Sequence, residues 1–370
     1  MKGHIRERSP GHWAIVIDAQ DAQGQRKRRW HSFQGTKREA QVECAKLIAE
    51  AQGGGAVDPS RVTLAQYLDR FERDWVALHV SARSAERYTG SLGHARRHLG
   101  DRRLQALRPA DLAGFYAALA RSGLAPRTIR HVHGVLHRAL GQAKLWGLLR
   151  DNPAETAKPP TAPDQELAIL QPDRARSVLA KLHGGPLYLL ASLALGTGMR
   201  RNEMLGLRWR DIDMDVGRLT VEQALEQTAE HGIRIKGPKT RHGRRTISLP
   251  PHIVAELRSH WRAQQEQRLA LGMGKAPADG FVLATFDGKP QSPGAITKAW
   301  KRALTGVTLH SLRHTHASML IASGMDILTI SRRLGHANPT ITLGVYGHLI
   351  HGSDDKAAQI MEAAFGRGKA

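Results

Sequence analysis

The chain has a single cysteine, Cys44, in 370 residues. That excludes a disulfide framework and any site built from several thiolates. No apolar run is long enough to cross a bilayer; the longest, residues 186–195, is short and flanked by glycines. The N-terminus carries charge but lacks the apolar stretch of a secretion signal. From these absences we expect a cytoplasmic protein with no membrane partner. Aromatic residues make up only 5%, which argues against a platform that stacks unpaired bases. Acidic residues are also in deficit: 33 Asp and Glu face 55 Lys and Arg, a formal net charge of +22. Such an excess points to a polyanion, because each phosphate that is neutralised releases bound counterions. The expected partner is therefore a nucleic-acid duplex, contacted through its backbone.

What is present divides at two breaks. Gly53, Gly54 and Gly55, followed by Asp58 and Pro59, form a flexible linker. The stretch 158–163, with prolines at 159, 160 and 163, forms a second. Before the first break, residues 13–17 read as a strand and 18–25 as a turn. Arg26, Lys27, Arg28 and Arg29 then open a basic second strand that runs to Phe33. Thr36 and Glu39 make a capping-box pattern ahead of an amphipathic helix with Ala40, Cys44, Leu47 and Ile48. Residues 1–53 are thus expected to be a small sheet of two or three strands plus a helix. Its basic strand either reads a DNA groove or is a solvated hairpin.

Residues 61–156 are expected to form a helical bundle. Thr63 and Gln66 give another capping box, and Leu64, Tyr67, Leu68, Phe71 and Trp75 recur at helical spacing. Further helices start near Ser81, Pro109 and Ala125. Arg83, Arg87, Arg127 and Arg130 lie on their outer faces, as phosphate contacts or as ordinary solvated charge. Residues 166–370 form the largest unit, with helices, then strands near 219–221, 233–235 and 246–249, then helices again.

The chemistry is concentrated in this last unit. Its apolar helix is expected to end at Gly196, and the glycines around Thr197 allow a tight turn that holds Arg200 at the mouth of the next helix. Glu203, three residues on, orients that guanidinium or caps the helix. Lys239 falls in residues 237–245, read as a hairpin tip, where it reaches a leaving oxygen or only a phosphate. In residues 309–348, His310 and Arg313 are three apart and share a helix face. Gly324 offers a stop, Asp326 a cap for a second helix, and Thr340 a cap for a third that presents Tyr346. With His336, these side chains are equipment for a phosphodiester. His310, His314 and His316 could suggest a metal, but no carboxylate accompanies them and their spacing suits one helix surface. No metal is expected, and His314 and His316 read as packing or hydrogen-bonding residues.

In order, the chain presents Thr-Gly-Met-Arg (Arg200) with Glu203 three residues on, Pro-Lys-Thr (Lys239), His-x-x-Arg-His-Thr (His310, Arg313), Leu-Gly-His (His336), and Tyr346 ten residues later. This resembles the tyrosine recombinase, or integrase, family from residue 166 to the C-terminus. The preceding bundle looks like that family's SAM-like core-binding domain, and residues 1–53 look like its arm-type DNA-binding domain. The resemblance implies a multidomain, mainly α fold with small β-sheets: an N-terminal β-sheet plus helix, a helical core-binding bundle, and an α+β catalytic domain.

It also implies roles. Arg200 and Arg313 would clamp the scissile phosphate, and Tyr346 would attack it to give a 3′-phosphotyrosine. Lys239 would protonate the leaving 5′-oxygen, His310 would assist proton movement at the tyrosine, and His336 would hydrogen-bond the phosphate. No cofactor is implied, because the phosphoester energy is kept in the covalent intermediate. The implied partners are double-stranded attachment sites, a homotetramer docked through residues 355–365, an excisionase and a host DNA-bending protein, all at the bacterial nucleoid. Other readings are a relaxing enzyme like type IB topoisomerases and a DNA-binding regulator without cleavage; the complete residue set argues against the latter. Asn202, where the family usually has a small residue, and Ser311, where aspartate is common, depart from the pattern.

Overall fold

A computed structural model of the chain describes residues 3–20, 26–52, 57, 59–163, 168–237, 241–347 and 353–365. The fold is mainly helical with small antiparallel sheets, and it divides into two compact units, 1–163 and 164–370.

The first unit opens with an antiparallel sheet in the order β1 (Gly3–Ser9), β2 (His12–Gln20), β3 (Arg26–Gln34). Side chains alternate across the sheet, so Ile5, Ile15, Ile17 and Phe33 meet Cys44, Leu47 and Ile48 of α1 (Lys37–Gln52). Strand β1 offers only Ile5 to this cluster, so backbone pairing with β2, rather than its own composition, defines it. Helix α1 starts at the expected cap: Thr36 N–H donates to Glu39 Oε2 at 2.8 Å, and Glu39 N–H donates to Thr36 Oγ1 at 3.3 Å. On β3, Arg28 and Trp30 share a side and are exposed, and the Arg8 guanidinium lies 5.8 Å from the Trp30 ring. The side chains of Arg26, Lys27 and Arg29 fall outside the described residues.

The same unit then builds a second apolar cluster from helices. These are α2 (Leu64–Phe71), α3 (Ala77–His79), α4 (Ala82–Leu99), α5 (Pro109–Arg121) and α6 (Pro126–Leu145). The Thr63–Gln66 capping box starts α2, and Tyr67, Leu68 and Phe71 are buried from it. A π-helical turn, Glu72–Val76, was not expected; it sets Trp75 between the rings of Phe71 (5.2 Å) and His79 (4.9 Å). Helices α4 and α6 pack together, and their basic residues adjoin. Burial, with the Arg87 charge added, holds the His131 imidazole below its usual range. Arg87, Arg127 and Arg130 are exposed, while exposed Arg83 pairs with Glu86 on its own helix.

The second unit begins with α7 (Pro172–Leu182), α8 (Tyr188–Thr197) and α9 (Arg201–Leu205). Helix α8 is buried nearly all round and runs through Gly196, stopping two residues later than expected at Gly198, whose φ of +68° ends it. Strands β4 (Ile212–Asp213), β5 (Arg218–Val221) and β8 (Arg245–Ser248) form one sheet, and β6 (Ala224–Thr228) pairs with β7 (Gly232–Lys236) in another. Strands β7 and β8, expected to flank a hairpin tip, lie in different sheets, and residues 238–240 between them fall outside the described residues. Neither flanking strand pairs with the other. Helices α10 (Pro251–Ala270), α11 (Pro293–Ala303), α12 (Leu309–Ala322), α13 (Ile327–Leu334), α14 (Pro339–Tyr346) and α15 (Ser353–Phe365) complete the unit. Asp326 caps α13 as expected, accepting from Thr329 N–H at 2.9 Å. The cap of α14 is Asn338 rather than Thr340, because Pro339 already occupies the first helical position and Thr340 supplies the N–H that Asn338 accepts.

Candidate active site

Arg200 is the residue before α9, so its backbone N–H is free to be capped. Glu203 Oε2 accepts it at 2.9 Å, while Glu203 Oε1 accepts from Arg200 Nη1 at 2.8 Å. The Arg200 side chain is 41% exposed and also donates to the Gly335 carbonyl at 3.3 Å. Glu203 is buried and shared with Arg245, whose Nη2 donates to Oε2 at 2.8 Å. Burial alone would raise the Glu203 carboxyl, but the Arg245 hydrogen bonds and the charges of Arg245 and Arg200 hold it below the usual carboxylate range. Glu203 thus carries two guanidiniums, one buried and one open.

Helix α12 starts at Thr308, which accepts from Ser311 N–H at 3.0 Å while Ser311 Oγ accepts from Thr308 N–H at 3.0 Å. The serine that departs from the family pattern is therefore a cap. One turn on, Arg313 is buried. It donates to the carbonyls of Gly198 (2.5 Å) and Leu334 (2.8 Å) and to His336 Nε2 (3.0 Å). Burial, followed by the Arg200 charge, pulls it down to about 9, so it stays charged at neutral pH. A guanidinium has no acceptor, so His336 Nε2 must accept, and its proton sits on Nδ1, 2.8 Å from Thr342 Oγ1. Burial and the Arg313 and Arg200 charges lower His336 to about 4.

Tyr346 ends α14 buried among Ala317, Ile330 and Leu334. Its hydroxyl lies 2.7 Å from Nδ1 of His314. Burial pushes the phenol up to about 12, and burial with the His310 and Arg313 charges lowers His314 to about 4. His310 is exposed, with its ring edge-on to His314 at 4.5 Å. His316 braces three helices: Nδ1–H donates to the Leu195 carbonyl at 2.6 Å, and Nε2 accepts from Arg333 at 3.1 Å.

Arg200, Glu203, His310, Arg313, His336 and Tyr346 therefore belong to one linked cluster. Lys239 lies outside the described residues. Among the described residues, no three His, Cys, Asp or Glu side chains gather as a metal site. Two members escaped sequence reading. His314, expected to pack or hydrogen-bond, does hydrogen-bond, but to Tyr346, a partner that its place four residues after His310 on the same helix face does not by itself reveal. Arg245 shares its strand parity with buried Ile247, and a charge on a buried face signals a partner.

The model of the Phage integrase family matches residues 163–351. The chain belongs to this family. An integrase of Streptomyces ambofaciens is 29% identical over 351 residues, 90% of this chain and 89% of its own length. A XerC-like tyrosine recombinase of Caldanaerobacter subterraneus is 27% identical over 356 residues, covering 89% and 90%. Among solved structures, the Tn1549 transposon integrase in complex with a circular intermediate DNA matches with a TM-score of 0.67 at 22% identity, over 82% of this chain and 99% of that one. That likeness is one of fold. As a phage-integrase family member, the chain is a tyrosine-type site-specific recombinase that cuts and rejoins DNA strands to integrate or excise a mobile element. The topoisomerase-like and non-cleaving readings are not favoured.

Proposed function

We propose that Tyr346 is the nucleophile of this recombinase and that Arg200 and Arg313 grip the scissile phosphate. The observation that carries this reading is the position of Arg313, hydrogen-bonded to His336 and one residue before the imidazole that holds the Tyr346 hydroxyl. Two planar forks match the oxygens of a phosphodiester and stabilise the charge that grows on them during attack. Tyr346 Oη bonds to phosphorus, the bond to the 5′-oxygen breaks, and Lys239 gives that oxygen its proton. His336, protonated on Nε2 once the phosphate's charge is beside it, donates to a phosphate oxygen instead of accepting from Arg313. Attack by a second 5′-hydroxyl reverses these steps on a new partner strand.

The chain takes double-stranded attachment sites as a homotetramer on two paired duplexes, in the bacterial cytoplasm at the nucleoid. Residues 1–53 serve as the arm-type domain, with Arg26, Lys27, Arg28 and Arg29 on the DNA-facing strand. Residues 61–156 serve as the core-binding domain, with Arg83, Arg87, Arg127 and Arg130 toward the backbone. Residues 166–370 carry the catalytic domain and end in a segment that docks on a neighbouring subunit. An excisionase and a host DNA-bending protein set the direction.

The test is to trap the intermediate. The protein is incubated, with chelator present, with a nicked duplex carrying the end of the element that encodes it. The wild type is expected to form a covalent adduct that Tyr346→Phe does not; an adduct that survives this substitution overturns the assignment.

A further inference from the structure

We infer that His314, rather than His310, accepts the Tyr346 proton as the nucleophile attacks; this rests on the reading of Tyr346 as the nucleophile. The phenol is buried, and a buried hydroxyl needs an acceptor. Among the described residues its hydrogen-bond partner is His314 Nδ1, at 2.7 Å. The un-ionised phenol donates, so Nδ1 carries the lone pair and Nε2 the ring proton. His310 meets His314 edge-on, with its centroid 4.5 Å away, and it is exposed. It is placed to brace that imidazole rather than to receive the proton itself.

The groups facing His314 are His310 and Arg313 from its own helix, Tyr346 from α14, and His336 from the turn after α13. Each is positive or neutral. In the free protein, Tyr346 is held near 12 and His314 near 4, so the proton stays on the phenol and the nucleophile is silent. A phosphodiester seated against Arg200 and Arg313 brings negative charge to this cluster. Burial is the main cause that lowers His314, with the His310 and Arg313 charges added. The phosphate's charge offsets the Arg313 part and favours the imidazolium, so the base strengthens when substrate is present. The Oη–H bond then breaks toward Nδ1 as the Oη–phosphorus bond forms, and the phosphorus–5′-oxygen bond breaks with that oxygen protonated by the general acid. On rejoining, the His314 imidazolium returns its proton to Oη as the tyrosine leaves phosphorus.

The experiment is single-turnover adduct formation on the nicked element-end duplex between pH 4.5 and 8.5. His314→Gln keeps a hydrogen-bonding side chain but cannot take the proton. Its rate constant is expected to fall by about 10²–10⁴-fold and to lose the acid limb of the wild-type profile, with DNA affinity unchanged. His310→Gln is expected to keep that limb. Wild-type speed in His314→Gln, or a limb that vanishes in His310→Gln and persists in His314→Gln, overturns the inference. Should His314→Gln not fold, the wild-type profile still decides, because a rate independent of pH across the range overturns it as well. Tyr346→Phe separates the two claims. If it still forms the adduct, the nucleophile assignment has failed; if it does not, while His314→Gln cleaves at full speed, only the proton acceptor has.

Discussion

A buried guanidinium is costly unless its donors are met, and Arg313 shows how two backbone carbonyls and one imidazole meet them. Lysine keeps the charge but is a compact ammonium that cannot span the three acceptors. Arg313→Lys is therefore expected to lower the adduct-forming rate by about 10²-fold with DNA binding little changed, as a gel-shift assay run beside the cleavage assay would show. The histidines give a second expectation. His314, His316 and His336 are each drawn from 6.5 to about 4, so the unfolded chain binds their protons more readily than the folded one. Their contribution to stability is fully present above pH 6.5 and is lost as pH falls toward 4. Buried His316 alone contributes on the order of 3 kcal/mol over that window. Thermal melts should show the midpoint falling between these pH values in the wild type, and falling less in His316→Gln. At this scale the sequence was informative wherever one spacing rule suffices: His310 with Arg313, and Arg200 with Glu203. It did not reveal that His314 meets Tyr346, because that contact depends on how α14 folds back onto α12.

Helix ends position these side chains. Gly198 ends α8 in the left-handed region, and its carbonyl receives Arg313. A Cβ there would stand 2.6 Å from the His316 ring and 2.8 Å from Leu334. Gly198→Ala thus combines strain with a clash inside a packed junction, and is expected to cost about 2–4 kcal/mol in denaturant unfolding. The Glu203–Arg245 pair ties α9 to β8, and Arg245 Nε also donates to the Arg333 carbonyl of α13 at 2.7 Å. Glu203→Gln leaves Arg245, whose side chain is 7% exposed, without its counter-charge. The expected loss is about 3–5 kcal/mol, read in the same unfolding experiment; the double variant Glu203→Gln with Arg245→Met should recover part of it. The capping boxes at Thr36 and Thr63 and the N-cap at Asp326 were readable in advance because a cap is local chemistry. The pairing of β7 and β8 was not, since two strands look alike in sequence whether they pair with each other or belong to separate sheets.

At the scale of the whole chain, the +22 charge makes binding a polyelectrolyte reaction. Affinity for duplex DNA should fall linearly with salt on logarithmic axes, with a slope of about 0.9 per phosphate neutralised. Arg87 and Arg130 test where those contacts lie. Both are exposed, on α4 and α6, and the Arg87 charge adds to the burial that lowers His131 across the packed pair. If this face follows the backbone, Arg87→Ala with Arg130→Ala should flatten the salt slope by about 2 and weaken specific and unrelated duplexes alike. The unfolding midpoint should stay put, because neither side chain is part of the apolar core beneath. A loss confined to the specific duplex would mean base reading instead, and an unchanged slope would move the DNA to another face of the bundle. The distinction matters for selectivity, because backbone contacts set the register of a duplex without reading its sequence. A bundle that only grips phosphate would leave recognition of the attachment site to other surfaces of the chain.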